Sequence, residues 1–140
     1  MTVEPMTFEH VQGLRLQPTQ EAFGAFLNPD YVRGLIGAGP SFAGVDKGEV
    51  LACAGILPQW PGRAIAWALM GAGAGRQFTA IHKATKRFLE QQPTKRIETW
   101  VLSGFQQGHR WIQMLGFRWE GRMESFTPAG EAGDLYARIR

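Results

Sequence analysis

Two nearly continuous apolar runs of strand length, Val50–Leu57 and Ala64–Met70, constrain the fold more than any other feature of the sequence. Strands that face water on one side alternate apolar and polar residues, whereas strands covered on both faces need no polar positions. We therefore predict a sheet with helices packed on it. With 140 residues, of which 44% are hydrophobic, the chain can bury a core as one domain over residues 1–140.

Local sequence patterns place the other elements around these two strands. Apolar residues at helical spacing predict helices over Phe8–Leu16, Thr19–Leu27, Tyr31–Ile36, Arg76–Gln91 and Ser103–Leu115. Strand-length patterns predict further strands over Ser41–Val45, Arg96–Leu102, Phe117–Phe126 and Leu135–Ile139, and Pro58–Gly62 is predicted to be a turn. This order predicts an α/β fold of the α+β type, with a mixed, mostly antiparallel central sheet flanked by helices.

Three of the predicted helices begin at residues that can cap exposed backbone N–H groups. Thr19 is expected to cap the second helix, and Asn28 followed by Pro29 is a typical start for the third. Ser103 and Gln106 have the Ser-x-x-Gln spacing of a capping box. Each cap predicts where its helix begins.

Charge and cysteine content exclude several classes of function. The net charge of +3 and the pI near 9.4 suit an anionic ligand but are too mild for a dedicated nucleic-acid-binding protein. The single cysteine, Cys53, lies in an apolar run and is expected to be a buried core residue, with no disulfide and no metal-site spacing. Met1–Met6 lacks the features of a signal peptide, and no apolar stretch is long enough to span a membrane, so we expect a cytoplasmic protein.

The segment Gly71–Gly75 carries the strongest functional signal, because it joins a buried strand directly to a basic helix. Glycine has no Cβ, so a ligand can approach the backbone closely, and the N–H groups of a first helical turn point outward. The helix dipole and Arg76 add positive charge. The sequence therefore predicts a cradle for a phosphate or pyrophosphate at this turn.

Other interpretations of this turn remain open. Small-residue turns before helices also occur without any ligand. The segment lacks the Gly-Lys-Ser/Thr of a nucleotide P-loop. No acidic residue follows about twenty positions later, as a dinucleotide-binding unit requires.

The layout of strand, glycine turn, long helix, strand, helix and strand resembles that of the GNAT acyltransferases. The sequence Leu115-Gly116-Phe117 is similar to the "LGF" that recurs there before the penultimate strand, and Gly73 and Gly75 match the glycines of the Gln/Arg-x-x-Gly-x-Gly/Ala acyl-CoA loop. The resemblance covers roughly Ser41–Arg140. Within the superfamily the chain looks most like divergent members encoded by tailed phages, including the internal virion protein group of T7-like podophages. That narrower likeness rests on Trp100–Leu102 and His109–Ile112.

The resemblance implies that acetyl-CoA is the co-substrate and an amine the acceptor. The pyrophosphate of acetyl-CoA would bind around the turn Gly71–Gly75. The pantetheine arm of acetyl-CoA would pair with backbone groups near Trp67–Leu69, where the sheet would splay. The implied cofactor-binding residues are Trp67, Leu69, Met70, Gly71, Ala72, Gly73, Ala74, Gly75 and Arg76. The partners would be acyl-CoA and an amine acceptor, with a phage or host protein as a further candidate partner. We expect no membrane partner, and the mild charge argues against nucleic acid.

The chain departs from the family pattern at three places. Met70 stands where the loop normally begins with Gln or Arg, and Ile112 stands at the position of the usual tyrosine acid. The strand Ala64–Met70 contains no carboxylate to act as the usual base. Two hypotheses follow: an N-acetyltransferase acting on an unidentified amine, or a catalytically inactive phage protein. The inactive protein would serve as a virion or assembly component, or as an inhibitor that presents Trp60 to a host protein.

Three residues are candidates for the missing acid and base. His109 could act as an acid or base, because histidine is the side chain used most often in that role, although such a histidine is more often a surface or capping residue. Glu98 could be a buried base with a raised pKa, or could face solvent near Lys95. Ser103 could donate a proton, or act only as a helix cap. Tyr136 is a more distant substitute that we expect to lie in the core.

Overall fold

The computed structural model describes residues 1–140 and contains a seven-stranded mixed sheet. The strands are β1 (Thr2–Pro5), β2 (Ser41–Asp46), β3 (Glu49–Trp60), β4 (Arg63–Met70), β5 (Arg96–Leu102), β6 (Arg118–Met123) and β7 (Gly133–Ile139). Their order in the sheet is β1-β2-β3-β4-β5-β7-β6. The β1–β2, β2–β3, β5–β7 and β6–β7 pairs are antiparallel, whereas β4 and β5 are parallel. The predicted mixed, mostly antiparallel sheet is confirmed.

Four α-helices and two 3-10 segments accompany the sheet. The helices are α1 (Phe8–Gln12), α2 (Pro29–Ala38), α3 (Phe78–Glu90) and α4 (Gln106–Met114), and the 3-10 segments are Pro18–Phe26 and Ala74–Gln77. The chain divides into two compact units, one formed by Met1–Pro58 and Trp67–Gln91, the other by Gln59–Ala66 and Gln92–Arg140. The single domain over residues 1–140 stays a prediction. None of the helices has the length and hydrophobicity needed to cross a membrane.

The starts of the helices show which predicted N-cap residues the structure contains. The Asn28 side chain accepts a hydrogen bond from the Tyr31 amide at 2.9 Å, with Pro29 in the first turn of α2, so this cap is confirmed. The Thr19 cap is wrong, because a 3-10 segment begins at Pro18 after an N-cap residue, Gln17, whose side chain makes no capping bond. The Ser103 cap is also wrong, because Phe105 is the N-cap residue of α4.

Three strands differ from the sequence prediction. β1 was not predicted, and it pairs with β2 at the edge of the sheet. β3 continues through Pro58 to Trp60, so the predicted turn shrinks to Pro61 and Gly62. β6 ends at Met123 and lies at the other edge of the sheet, where most of its residues are exposed.

The first unit contains a core formed by α1, α2 and the apolar strands. Val32 of α2, Ala43 of β2 and Cys53 of β3 are fully buried there, and Leu69 of β4 packs with them. Burial raises the pKa of the Cys53 thiol to about 12, so this side chain is un-ionised at neutral pH. The predicted core position of Cys53 is confirmed.

Candidate functional site

The glycine-rich segment Gly71–Gly75 connects β4 to α3, as the sequence predicts, but the α-helix starts later than expected. Ala74–Gln77 forms a 3-10 turn, and α3 begins at Phe78 rather than at Arg76. The first amides after β4 therefore belong to a tighter turn than the first turn of an α-helix, with i→i+3 hydrogen bonds.

Three amides of this segment, and the amide of Arg76 just after it, already donate to backbone carbonyl groups. The Gly71 amide donates to Leu51 O at 2.8 Å, and the Ala72 amide donates to Arg15 O at 2.7 Å. The Ala74 amide donates to Gly71 O at 3.1 Å, and the Arg76 amide donates to Gly73 O at 3.3 Å. These four amides are therefore engaged within the turn and with its neighbours, and the predicted phosphate cradle stays a prediction. The amides of Gly73 and Gly75 are not among those engaged.

The Arg76 guanidinium, the expected positive charge at the turn, is bound to a carboxylate. Its Nη2 lies 2.5 Å from Oε2 of Glu49, and the two side chains are 65% and 40% exposed. A Cβ built on Gly73 would lie 2.5 Å from Glu49 Oε1, so Glu49 also covers Gly73. Exposed ion pairs contribute little to stability, so an arriving anion can exchange for Glu49 at small cost.

The glycines of the turn serve different purposes. A Cβ on Gly71 would lie 2.9 Å from Leu51 O and 3.0 Å from Leu14 Cδ1, so Gly71 allows close packing on β3. A Cβ on Gly75 would meet no atom within 4 Å. Gly75 is therefore the position at which open space meets the backbone, and packing alone does not require a glycine there.

The other predicted cofactor-binding residues lie at the end of β4. Leu69 and Met70 are buried, and the half-buried Trp67 has an indole Nε1 that is buried without a hydrogen-bond partner. The parallel ladder between β4 and β5 comprises three pairs and stops at Ile65↔Glu98, whereas β4 continues to Met70. The predicted pantetheine contacts thus lie on a part of β4 beyond this ladder.

Sequence reasoning missed a residue that contacts this part of β4. The Gln20 side chain donates to Ala68 O at 3.0 Å and accepts from the Met70 amide at 2.6 Å. Nothing in the sequence marks Gln20, which lies in a stretch of mixed polar and small residues. Only the tertiary structure brings it to β4, 48 residues along the chain from Ala68.

In the second unit, a buried cluster surrounds the candidate residue His109 of α4. His109 Nδ1 lies 2.7 Å from the Tyr136 hydroxyl, and Nε2 lies 3.1 Å from Leu102 O and 3.0 Å from Ser103 O. Carbonyl oxygens only accept hydrogen bonds, so Nε2 carries the proton and Nδ1 accepts from Tyr136. Both ring nitrogens are therefore engaged, and the catalytic role of His109 stays a prediction.

Asp134 and Ser103 complete this cluster. The Trp119 indole donates to Asp134 Oδ1 at 2.7 Å, and this hydrogen bond is the main reason why the pKa of Asp134 lies below its usual range. Ser103 Oγ is buried and has no partner with hydrogen-bond geometry, although it is near enough to Asp134 to help lower that pKa. Of the three proposed acid–base residues, Ser103 is the one held by no hydrogen bond of regular geometry, although its hydroxyl interacts with the Asp134 carboxylate.

Replacing Tyr136 with phenylalanine is expected to destabilise the protein by roughly 1–2 kcal/mol, because it leaves His109 Nδ1 buried without a donor. Tyr136 is 3% exposed, and the only other tyrosine, Tyr31, is 51% exposed. Tyr31→Phe is therefore a matched control that should change stability by less than about 0.5 kcal/mol. Urea unfolding measures both, and equal effects of the two substitutions would contradict the buried hydrogen bond.

The structure corrects the prediction of Glu98 as a base with a raised pKa. Arg63 Nη2 lies 2.5 Å from one carboxylate oxygen of Glu98, and Arg96 Nε lies 2.7 Å from the other. Arg96 also binds Glu120, which extends the network. Hydrogen bonds from Arg63, and then from Arg96, hold the pKa of Glu98 below its usual range despite its burial. A carboxylate stabilised in this way is a poor proton acceptor.

No protein-family model and no curated protein matches this sequence. Comparison with solved structures, in contrast, gives confident matches over almost the entire chain. The structure of aminoglycoside 6'-acetyltransferase type Ii matches with a TM-score of 0.73, 11% identity, and coverage of 99% of this chain and 97% of that one.

Two other acetyltransferase structures show the same relationship. The IAA acetyltransferase from Bacillus cereus matches with a TM-score of 0.67, 12% identity and 99% coverage of both chains. A GNAT family acetyltransferase from Elizabethkingia anophelis with acetyl-CoA bound matches with a TM-score of 0.61, 13% identity, and coverage of 99% of this chain and 97% of that one. None of these structures supports the narrower resemblance to phage proteins. At this level of identity the likeness establishes architecture, and the chain therefore has the fold of the GNAT acetyltransferases.

Proposed function

We propose that this protein binds acyl-CoA and transfers an acetyl group to an amine. The observation that carries the proposal is the fold, which matches acetyltransferases over 99% of the chain, including one solved with acetyl-CoA bound. The glycine-rich turn between β4 and α3 supports it independently, because its composition and open space at Gly75 suit close approach of an anion.

The pyrophosphate of acyl-CoA fits the part of the turn that is not already used. We place it at Gly73 and Gly75, with the Arg76 guanidinium exchanging its exposed partner Glu49 for the phosphate. Guanidinium groups bind phosphate oxygens in a bidentate manner, so this exchange keeps the charge of Arg76 compensated. The four engaged amides make this a smaller anion site than the sequence alone predicts.

The pantetheine arm would lie along β4 at Trp67–Leu69, as the sequence resemblance implies. Backbone groups at a strand edge bind extended amide-containing ligands by adding a hydrogen-bonded strand, and pantetheine carries such amides. Here Ala68 O and the Met70 N–H already bind an amide, that of Gln20. The edge therefore has the hydrogen-bond pattern that the arm requires.

Acetyl-CoA supplies a thioester, and the reaction joins its acyl carbon to the nitrogen of a neutral amine while the C–S bond breaks. The amine gives its surplus proton to a base, and the thiolate of CoA leaves and is protonated. Of the chain's own candidates, Glu98 and His109 are held by short polar contacts, whereas the Ser103 hydroxyl has no partner with regular hydrogen-bond geometry. We therefore expect slow turnover with amines that are already deprotonated.

Gly75→Val is expected to weaken acetyl-CoA binding at least tenfold (about 1.4 kcal/mol) without unfolding the protein. The valine side chain has room in the unliganded structure, because nothing lies within 4 Å of the Gly75 Cβ position, but it would fill the space assigned to the pyrophosphate. Isothermal titration with acetyl-CoA measures the affinity, and thermal unfolding verifies the fold.

Gly34→Val is the matched control for this experiment. Gly34 lies in α2 and also has open space at its Cβ position. This variant should bind acetyl-CoA like the unmodified protein. Equal affinities for all three proteins would place the nucleotide elsewhere, and absence of binding to the unmodified protein at millimolar acetyl-CoA would remove the proposed function.

A second candidate function is a non-catalytic binding protein built on this fold. The observation that favours it is the engagement of Glu98 by two guanidinium groups and of both His109 nitrogens by hydrogen bonds, with Ile112 at the usual tyrosine position. Trp60, which is 60% exposed, would be available to a partner. Acetyl-CoA binding without release of CoA across a panel of amines supports this candidate. A virion or assembly role, or inhibition of a host protein, would be a narrower form of it.

A further inference from the structure

One edge of β4 is covered along its whole length, by different groups at its two ends. Even-numbered residues face this edge, because backbone groups of alternate residues in a strand point to the same side. Gly62 O, just before the strand, accepts from the Arg96 amide at 2.9 Å, and Ala66 O accepts from Thr99 Oγ1 at 3.1 Å. By the same alternation, Ala68 and Met70 present their backbone groups on this edge.

The segment Arg15–Gln20, which we call the strap, covers the edge at Ala68 and Met70. The Gln17 amide donates to Met70 O at 2.9 Å, and the Ala72 amide, just after the strand, donates to Arg15 O at 2.7 Å. The remaining two hydrogen bonds come from the Gln20 carboxamide, whose Nε2 donates to Ala68 O and whose Oε1 accepts from the Met70 N–H. The strap is thus held by its backbone and by one side chain.

Gln20 reproduces what the N–H and C=O of one residue in an adjacent strand would do at this edge. A single planar amide donates to one carbonyl and accepts from the N–H two residues along, at 3.0 and 2.6 Å. The edge therefore already contains an internal amide ligand. An extended molecule lying along β4 that presents one N–H and one C=O, from two successive amides, requires the same two backbone groups.

We propose that the Gln20 carboxamide occupies the place of polar groups of the two pantetheine amides, so that acyl-CoA binds β4 only when Gln20 is displaced. This inference rests on the proposed function and identifies Gln20 as an internal competitor that sets the affinity for acyl-CoA. Binding exchanges two hydrogen bonds made by Gln20 for two made by the ligand, so these bonds yield little net gain.

The surroundings of the strap allow such a displacement. A cavity of about 330 Å³ lies beside it, lined by Leu16 of the strap and by residues that include Phe8, Gly24 and Leu27. Close-packed interiors resist movement, whereas a segment bordering unfilled space can shift with fewer lost contacts. The strap therefore borders unfilled space at Leu16, four residues before the half-buried Gln20, and can shift there with few lost contacts.

Gln20→Ala is expected to bind acetyl-CoA about tenfold more tightly than the unmodified protein, because it frees Ala68 O and the Met70 N–H for the ligand. Gln17→Ala is the matched control, since Gln17 holds the strap through its backbone amide. Isothermal titration of the three proteins measures the affinities. Gln20→Leu provides a second variant, because a leucine side chain of similar size neither donates to Ala68 O nor accepts from the Met70 N–H and should also release the edge.

Hydrogen exchange at the Met70 amide gives a readout that does not depend on activity. Exchange should be faster in Gln20→Ala than in the unmodified protein, and acetyl-CoA should restore protection in the variant. Unchanged or weaker affinity in both Gln20 variants, with binding by the unmodified protein, would overturn the role of Gln20 and leave the proposed function intact. Absence of acetyl-CoA binding in all four proteins would overturn both.

Discussion

Gly39→Ala is expected to lower the free energy of unfolding by about 3 kcal/mol, which places it at the upper end of the usual cost of overpacking. A Cβ on Gly39 would lie 2.3 Å from Ile56 O and 2.7 Å from Pro58 Cδ. The backbone at Gly39 is extended, with φ −171° and ψ 176°, so the cost is purely steric. The obstructing carbonyl is backbone of β3, and the neighbouring amide of Ile56 donates to Pro40 O at 3.0 Å. β3 therefore cannot move away from Gly39 without losing its hydrogen bond to Pro40.

Gly37→Ala provides a matched control two residues earlier. Gly37 is exposed in α2, and no atom lies within 4 Å of its Cβ position. Alanine is favoured over glycine in a helix, so this variant should gain about 0.5–1 kcal/mol. Urea unfolding monitored by circular dichroism measures both changes. Effects of the same sign at the two positions would contradict the packing described for Gly39.

These two glycines illustrate what the sequence could and could not predict. Glycine and proline disfavour the continuation of a helix, so the segment Gly37–Pro40 predicts a helix end, and α2 ends within this segment, at Ala38. Its contact with Ile56 depends on how β2 and β3 pair, which no local pattern specifies. The break was therefore predictable, whereas the opposite roles of Gly37 and Gly39 were not.

The same distinction separates the helix caps. Asn28 was predictable because its cap requires only the next three residues, and the structure contains it. Ser103 has the right spacing, but Phe105 donates its amide to Leu102 O in a turn that starts α4 later. The backbone hydrogen bond of this turn is thus preferred to a side-chain cap that contributes about 1 kcal/mol.

Around the candidate site, the order of strand, turn and helix was predictable, whereas the partners of the side chains were not. The strand–turn–helix around Gly71–Gly75 follows from residue types alone. The ion pair of Arg76 with Glu49, and the contact of Gln20 with β4, join residues far apart in sequence. Which charges meet is decided by sheet register, so a basic residue near a turn predicts charge but not its availability.

The buried carboxylate of Glu98 provides the second large effect. Glu98→Gln is expected to destabilise the protein at pH 7 by about 2 kcal/mol. Breaking a buried ion pair typically costs about 3–5 kcal/mol, and we lower this figure because both guanidinium groups reach solvent. The side chain of Glu98 is 10% exposed, whereas those of Arg63 and Arg96 are 28% and 29% exposed. Glutamine keeps the shape but no longer compensates the two positive charges.

Glu124→Gln is the matched control for an exposed ion pair. Glu124 is 73% exposed and its partner Arg122 is 54% exposed, so solvent screens their interaction. This variant should have the same stability at pH 7 as the unmodified protein. Equal losses in the two variants would mean that burial does not strengthen the interactions of Glu98.

The pH dependence of stability tests the same network through a different property. The pKa of Glu98 is lowered in the folded protein, so the folded state binds fewer protons than the unfolded state between the two pKa values. The contribution of Glu98 to the free energy of unfolding is complete above the pKa of the unfolded state, about 4.3. This contribution is lost as the pH falls through the pKa of Glu98 in the folded state. The unmodified protein should therefore lose stability from pH 5 downward more steeply than Glu98→Gln. Glu120 and Asp134, whose pKa values are also lowered, preserve part of the slope in the variant. Parallel curves for the two proteins would show that the two guanidinium groups do not stabilise the charged form of Glu98.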